Sequence, residues 1–178
     1  MKTTSILIAG FGGQGTLFAG KVLAQASLFK GLEVSWLPSY GPEMRGGTAN
    51  CGVIISEDAI GSPIVSRPDV LIALNKPSFE KYEKLTQPGG YIFVDSSLVD
   101  LKSTRDDVKV FYVPATELAQ AEGNGSLSNI VLVGKAIKET GLFTEEEIDE
   151  VLNQIIPEKK AALRELNKKV LHVGAMAE

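Results

Sequence analysis

A glycine-rich segment near the start of the chain has the residue types and spacing of an anion site. Five of the eleven residues 10–20 are glycine, and Gly10, Gly12 and Gly15 follow a G-x-G-x-x-G spacing. A strand-like apolar run, residues 6–9, comes before the turn, and helical periodicity follows it. Glycine permits positive φ and lets a ligand approach the backbone. The free N–H groups and positive dipole end of the next helix then favour an anion, most often a phosphate.

Two interpretations of this segment stay open. The glycines can hold a phosphate, or they can simply let the helix pack closely against the sheet. The side chain of Gln14, at the tip of the turn, also has two possible roles. Its carboxamide can donate to a ligand oxygen or brace the loop backbone, and the residues themselves do not decide between these roles.

A second segment, residues 39–47, reads Ser-Tyr-Gly-Pro-Glu-Met-Arg-Gly-Gly. Turn signals at 41–42 and 46–47 bracket Glu43 and Arg45. Arg45 can fork onto a phosphate or carboxylate, and Glu43 can accept a hydrogen bond from a ligand. The alternative is a surface loop with a solvated Glu–Arg pair, which would contribute little energy.

Composition excludes several classes of protein. The 178 residues suit one domain, 1–178, and the net charge of −4 disfavours a nucleic-acid or anionic-membrane binder. With one cysteine and one histidine the chain has no internal disulfide, no iron–sulfur cluster of its own and no zinc site. Residues 3–20 carry no charge, but their apolar core, residues 6–9, is too short for a membrane span or a signal peptide, so we expect a cytoplasmic protein.

Strand-like and helical patterns alternate along the chain, which predicts an α/β fold. The expected architecture is a three-layer Rossmann-like sandwich with a mostly parallel sheet. The strand at Thr48–Ser56 is reached without a long crossover, so we expect it to run antiparallel to its neighbour. The second strand, predicted from Glu33 to Leu37, lacks an acidic residue at its end to hold a ribose 2′-OH. This counts against NAD and FAD, whereas NADP stays open.

Other residues have more modest predicted roles. Asn75 is expected to cap a helix in preference to contacting a ligand, and Thr144 with Glu147 forms a capping box. Cys51 is interpreted as a buried structural thiol, and His172 as a capping or surface residue. A last helix opened by Pro157 is expected to bury one apolar face. That face comprises Leu163, Leu166, Val170 and Val173.

Together the two glycine-bracketed segments resemble the gamma subunit of 2-oxoacid:ferredoxin oxidoreductases, of the pyruvate, 2-oxoglutarate and 2-ketoisovalerate type. The motifs are Gly-Phe-Gly-Gly-Gln-Gly at 10–15 and the segment 39–47, followed by Asn-Cys-Gly at 50–52 and Asp-Ser at 95–96. Such enzymes decarboxylate a 2-oxoacid on thiamine diphosphate, pass electrons through iron–sulfur clusters to ferredoxin, and transfer the acyl group to coenzyme A, or run in reverse. The chain has neither cluster cysteines nor a thiamine diphosphate motif, so we expect no activity from it alone.

The resemblance implies that this subunit helps to bind coenzyme A. The implied contacts are Gly12, Gly13, Gln14 and Gly15 in the first segment and Arg45, Gly46 and Gly47 in the second, with no catalytic residue and no metal ligand. The implied partners are alpha and beta subunits that carry thiamine diphosphate, and a ferredoxin-like delta subunit with iron–sulfur clusters. A purely structural subunit without a ligand is the main alternative, and a free-standing NADP-binding oxidoreductase is a weaker one, since no acid–base constellation is evident.

Overall fold

Six strands form one sheet in the computed structural model, which describes residues 3–40 and 48–178. The strands are β1 (Thr4–Phe11), β2 (Glu33–Tyr40), β3 (Thr48–Ser56), β4 (Val70–Ala73), β5 (Tyr91–Asp95) and β6 (Lys109–Val113). Their order across the sheet is β2-β3-β1-β4-β5-β6. β3 pairs antiparallel with β1 and β2, and the other neighbours pair in parallel. The mostly parallel sheet and the antiparallel third strand are therefore confirmed.

Helices cover both faces of this sheet. They are α1 (Thr16–Phe29), α2 (Lys76–Tyr82), α3 (Ala115–Ala121), α4 (Ser128–Thr140), α5 (Glu145–Ile155) and α6 (Ala161–Met176). The expected capping box opens α5: the Thr144 side chain accepts from the Glu147 amide, and the Glu147 carboxylate accepts from the Thr144 amide. Asn75 caps α2 by accepting from the amide of Ser78, as the sequence predicts.

β1 is buried on both faces because it lies inside the sheet between two layers of helices. Ile6 and Ile8 pack with residues of α1, α4, α5 and α6 on one face. Leu7 and Ala9 pack with residues of α2 on the other face. This explains why β1 reads as a continuous apolar run and not as an alternating one.

α4 and α6 cross with their backbones in contact. A Cβ atom on Gly134 would lie 2.0 Å from the carbonyl oxygen of Leu171, and one on Gly174 would lie 1.9 Å from that of Val131. Only glycine fits at these two positions. The close crossing fixes how α6 is turned about its axis.

In this orientation α6 buries a different face from the one that the sequence predicts, and the prediction is wrong for Leu163. Leu163 is 37% exposed, whereas Asn167, Leu171 and Gly174 are buried beside Val170. The buried face is therefore centred on the glycine contact, which an apolar-periodicity count cannot detect. Pro157 precedes a short 3₁₀ turn, Glu158–Lys160, and α6 begins only at Ala161.

The second strand is longer than the sequence predicts. β2 continues beyond Leu37 to Tyr40, and Pro38 stands opposite Cys51 on β3. β2 is an edge strand, a position in which proline is tolerated because the strand pairs on one side only. Among the helices formed by residues 3–40 and 48–178, none has the length and apolar character needed to cross a bilayer.

Candidate functional site

The glycine turn lies between β1 and α1, at the carboxyl ends of the parallel strands. Gly15 is the N-cap residue of α1, with a left-handed conformation (φ 75°), and no side chain caps the helix. The first-turn N–H groups of any α-helix lack acceptors within the helix. The N-terminus of α1 therefore presents backbone donors and a positive dipole end without a side-chain acceptor of its own.

Gly15 has a structural reason to be glycine. A Cβ atom there would lie 2.3 Å from the side-chain nitrogen of Asn129, which donates to the Gly15 carbonyl at 3.0 Å. Asn129 is buried in the first turn of α4 and ties that helix to the start of α1. This partner was missed by sequence reasoning. The two polar residues Ser128 and Asn129 among the otherwise apolar residues 127–133 were the signal that could have found it.

Gly12 and Gly13 have the opposite environment. Both are exposed, and a Cβ atom on either would meet no heavy atom within 4 Å. Gly13 has φ 92°, whereas Gly12 is not among the glycines with positive φ. Packing therefore does not explain glycine at position 12, while close approach of a ligand to the backbone would.

Gln14 uses both ends of its carboxamide within the protein. Its Oε1 accepts from the Phe11 amide at 2.6 Å, and its Nε2 donates to the Leu74 carbonyl at 3.0 Å. Asn75 Nδ2 is 3.5 Å from the same Oε1. Of the two roles left open by the sequence, the side chain performs the bracing role in this structure.

This brace spans two parallel neighbouring strands, β1 and β4, whose following helices pack on opposite faces of the sheet. The helix that follows β1 lies on one face, and the helix that follows β4, the neighbouring strand, lies on the other. In open α/β sheets ligands bind at such a switch point, outside the carboxyl ends of the strands. Gln14 and Asn75 occupy this position. Their hydrogen bonds hold the exposed part of the turn against the ends of β1 and β4.

The second segment can be located only by the strands that flank it. Arg45, Gly46 and Gly47 lie outside the described residues. On either side of them, Tyr40 stands opposite Ala49, and Ala49 stands opposite Gly10. The strand ends that flank the two glycine-bracketed segments therefore lie in one row, at the end of the sheet where β1 and β2 finish.

Polar residues at the other strand ends have structural partners. Asp95, at the end of β5, is fully buried and accepts from the Thr116 hydroxyl at 2.6 Å and from the Ser97 amide at 3.1 Å. It ties β5 to the first turn of α3. The Asp-Ser pair that contributes to the family resemblance thus has a role in the fold.

Cys51 is buried in β3, and this burial outweighs the opposing effect of a hydrogen bond with Trp36 and raises the pKa of the thiol to about 11. A thiol that stays protonated is a poor nucleophile, in agreement with the structural role predicted for Cys51. In the described part of the chain, no group of three or more His, Cys, Asp or Glu residues could hold a metal ion.

His172, on α6, is held between two carboxylates of α5. Its Nε2 lies 2.9 Å from Asp149, and its Nδ1 contacts Glu145. Partial burial alone would lower the pKa of the imidazole, but the hydrogen bonds and charges of Asp149 and Glu145 outweigh it and raise that pKa. The i, i+4 spacing of these carboxylates was the signal available in the sequence.

Comparison with known proteins agrees with this geometry. The chain belongs to the family described as pyruvate ferredoxin/flavodoxin oxidoreductase, whose model matches residues 5–177. Among curated relatives, ketoisovalerate oxidoreductase subunit VorA of Methanothermobacter marburgensis is 40% identical over 176 residues, which is 98% of this chain and 36% of that protein. The chain thus spans about a third of the length of this relative.

Solved structures show the same fold. The gamma subunit of a keto/oxoacid ferredoxin oxidoreductase from Geobacter sulfurreducens is 31% identical, with a TM-score of 0.82, and the match covers 96% of this chain and 95% of that one. A 2-oxoglutarate:ferredoxin oxidoreductase from Magnetococcus marinus, solved with 2-oxoglutarate, coenzyme A and succinyl-CoA bound, is 24% identical with a TM-score of 0.87. That match covers 98% of this chain and 31% of the other. The resemblance to gamma subunits found in the two motifs is confirmed.

Proposed function

We propose that the chain is the gamma subunit of a multi-subunit 2-oxoacid:ferredoxin oxidoreductase, and that it contributes to binding coenzyme A. The complex would convert a 2-oxoacid to acyl-CoA with electrons passed to ferredoxin, or catalyse the reverse reaction. The full-length match to a gamma subunit supports this assignment. So does the coenzyme A bound by the 2-oxoglutarate enzyme that shares the fold.

The exposed backbone at Gly12 and Gly13 is the observation that carries the role in coenzyme A binding. It lies at the N-terminus of α1, which no side chain caps, at the edge where α/β sheets bind ligands. The coenzyme A diphosphate is the type of anion that such a helix terminus favours. Gln14 and Gly15 would hold the turn in place without contacting the ligand through their side chain or carbonyl, since these polar groups already bond to the protein.

Arg45, Gly46 and Gly47 would complete the site from the neighbouring segment. The strands that flank this segment end beside the glycine turn. A guanidinium can fork onto a phosphate, so Arg45 is the cation proposed for coenzyme A.

The redox chemistry would belong to other chains. One cysteine cannot hold an iron–sulfur cluster. We therefore assign thiamine diphosphate to alpha and beta subunits, and the clusters to a ferredoxin-like delta subunit. This chain would bind and orient coenzyme A, whose thiol receives the acyl group.

A role in assembly alone is the second candidate. The inward bonding of Gln14 and the contact between Gly15 and Asn129 favour it, because both residues can be explained without a ligand. In that case Gly12 and Arg45 would not affect coenzyme A binding.

The two candidates are separated by kinetics of the assembled complex. After co-expression of the four subunits, Arg45→Ala should raise the KM for coenzyme A while the KM for the oxoacid changes much less. Arg67→Ala is the matched control, since Arg67 is exposed and precedes β4, at the opposite edge of the sheet from the turn. Equal changes in both KM values, or no change, would contradict a role for Arg45 in binding coenzyme A. Thermal stabilisation of the chain by NADP and not by coenzyme A would favour the free-standing dinucleotide enzyme.

A further inference from the structure

A pocket of about 300 Å³ opens on the helical side of the molecule, between the first turn of α1, the start of α4 and the connection from α5 to α6. The oxygens of Asn129 and Asn167 have almost no accessible surface, so they cannot contact an occupant. Ser126 donates its hydroxyl to Asn124. An occupant would therefore meet mainly the apolar walls, which are formed by Phe18, Leu127, Ile155, Ile156, Pro157 and Leu163.

The apolar surface continues outside the pocket. Leu163 is 37% exposed, and Pro157, Ala161 and Ala162, close to it in the chain, are also exposed. A small-molecule site is concave and encloses most of its ligand, whereas a pocket that opens onto exposed apolar residues is typical of a contact with another protein. The anatomy is that of an interface, with an apolar centre and a polar rim.

The rim of this pocket carries positive charge that no carboxylate neutralises. Lys160 is exposed, lines the pocket and forms no ion pair with the described residues. Arg164 donates to the carbonyl of Ile156 through Nε at 3.1 Å and through a terminal nitrogen at 2.6 Å, which holds its guanidinium beside the pocket wall. Glu158, in the same turn, is not part of the wall. Because the chain as a whole carries a charge of −4, this local excess of cations favours a partner that supplies carboxylates.

The length of a relative indicates which partner this is. In VorA the region that matches this chain is 36% of a longer polypeptide, so a covalent link keeps the remaining part beside it. Separate chains lack the effective concentration that such a link provides. They must gain the same association from complementary surfaces.

We propose that this pocket is the docking site for the subunit that corresponds to the remainder of VorA, and that it receives an apolar side chain flanked by aspartate or glutamate. This inference rests on the proposed function, in which the chain is a separate subunit of a larger complex. The apolar side chain would pack between Phe18 and Leu163, and a carboxylate would pair with Lys160 at the rim. Burial of the apolar anchor supplies most of the affinity, while the charge pair mainly fixes the orientation.

Leu163→Asp tests the apolar part of this surface. The subunits are co-expressed, the complex is purified through a tag on that partner subunit, and the retained amount of this chain is measured. A carboxylate at the anchor position should lower retention roughly tenfold. Leu28→Asp is the matched control, because Leu28 is 53% exposed on α1 and lies outside the pocket.

Lys160→Glu tests the charged rim in the same complex. It should lower retention strongly at low salt and much less at high salt, because salt screens the repulsion between carboxylates. Lys138→Glu reverses the same charge at an exposed lysine in the last turn of α4 and should be retained like the parent chain. A loss of retention that does not depend on salt would contradict a charge pair at Lys160.

Carbodiimide cross-linking of the intact complex identifies the contact directly, since it joins a lysine amine to a carboxylate that touches it. We expect Lys160 to be joined to an aspartate or glutamate of the tagged subunit. The absence of that cross-link, or full retention of both variants, would overturn the docking site. An intact complex in which Lys160→Glu raises only the KM for coenzyme A would also overturn it, because the cation would then belong to the coenzyme site. If the parent chain itself fails to co-purify, the proposed function is wrong as well.

Discussion

The side-chain nitrogen of Gln14 donates to the carbonyl oxygen of Leu74 at 3.0 Å, and this bond joins the turn after β1 to the end of β4. The other end of the same carboxamide accepts from the Phe11 amide. One side chain thereby fixes the turn across two adjacent strands. The shape of the exposed backbone beyond it depends on this link.

We therefore predict that Gln14→Ala destabilises the chain by about 1–2 kcal/mol, because one backbone donor and one acceptor lose their partner. The free energy of unfolding from urea titration checks this value. Gln87→Ala is the control: Gln87 is similarly half-buried, and its side chain makes no hydrogen bond to the described residues. Equal losses in the two variants would show that Gln14 does not brace the turn.

The glycines of the turn should respond differently to alanine. Gly15→Ala should cost about 2 kcal/mol or more, through positive φ and the contact with Asn129, and Gly13→Ala about 1 kcal/mol through φ alone. Gly12→Ala should stay within about 0.5 kcal/mol of the parent, because nothing lies near the added methyl group. Urea titration of the three variants measures this order. A loss at Gly12 as large as that at Gly15 would contradict it.

Gly12→Ala is then also a clean probe of the proposed ligand site. In the assembled complex it should raise the KM for coenzyme A without lowering the stability of the chain. An unchanged KM would argue that the diphosphate does not contact this part of the turn.

The crossing of α4 and α6 should be intolerant of a single methyl group. Gly174→Ala places a carbon atom 1.9 Å from the carbonyl oxygen of Val131, so the helices must separate, at a cost of about 3 kcal/mol. Thermal or chemical unfolding gives the value. Gly61→Ala, in open space and without positive φ, should unfold like the parent. A small effect at Gly174 would mean that the helices are less tightly packed than described.

Stability should depend on the charge of His172. Its pKa in the folded protein is raised above the ordinary value of 6.5, so the contribution from the charged ring is complete below about pH 6. It should be lost as the pH rises through the folded-state pKa. Because 41% of the His172 side chain is exposed, solvent screening keeps the effect on stability small.

The comparison is between the parent and His172→Gln, by urea titration at intervals from acid to mildly alkaline pH. The stability difference should shrink as the pH rises. Since the chain has one histidine, proton NMR gives the folded-state pKa directly. A difference that is constant with pH would show that the carboxylates of Glu145 and Asp149 do not stabilise the charged ring.

Local patterns in the sequence were sufficient for much of the fold. The apolar run before Gly10 predicted β1, Thr144 and Glu147 predicted the start of α5, and the short connection before Thr48 predicted an antiparallel β3. These signals are local, because strand, cap and turn preferences depend on nearby residues. The edge position of β2, which lets the strand continue through Pro38, depends on the order of strands in the sheet and could not be read in this way.

Long-range partners could not be predicted in the same way. Gln14 meets Leu74 sixty residues later in the chain, and Asn129 meets Gly15 from a helix that the sequence places far away. The rotation of α6 depends on glycines in two different helices. Each of these contacts requires a partner that neither segment specifies alone. The roles of Arg45, Gly46 and Gly47 remain predictions from the sequence.

Inserting β3 antiparallel between β2 and β1 has a consequence for how such proteins can diverge. β2 and β3 are consecutive, antiparallel neighbours, so the connection between them joins adjacent strand ends. No crossover helix depends on the length of that connection. Residues can be added or removed there without displacing α1 or its glycine turn. Homologous chains can therefore change the length of this one connection and keep the strands and helices around it unchanged.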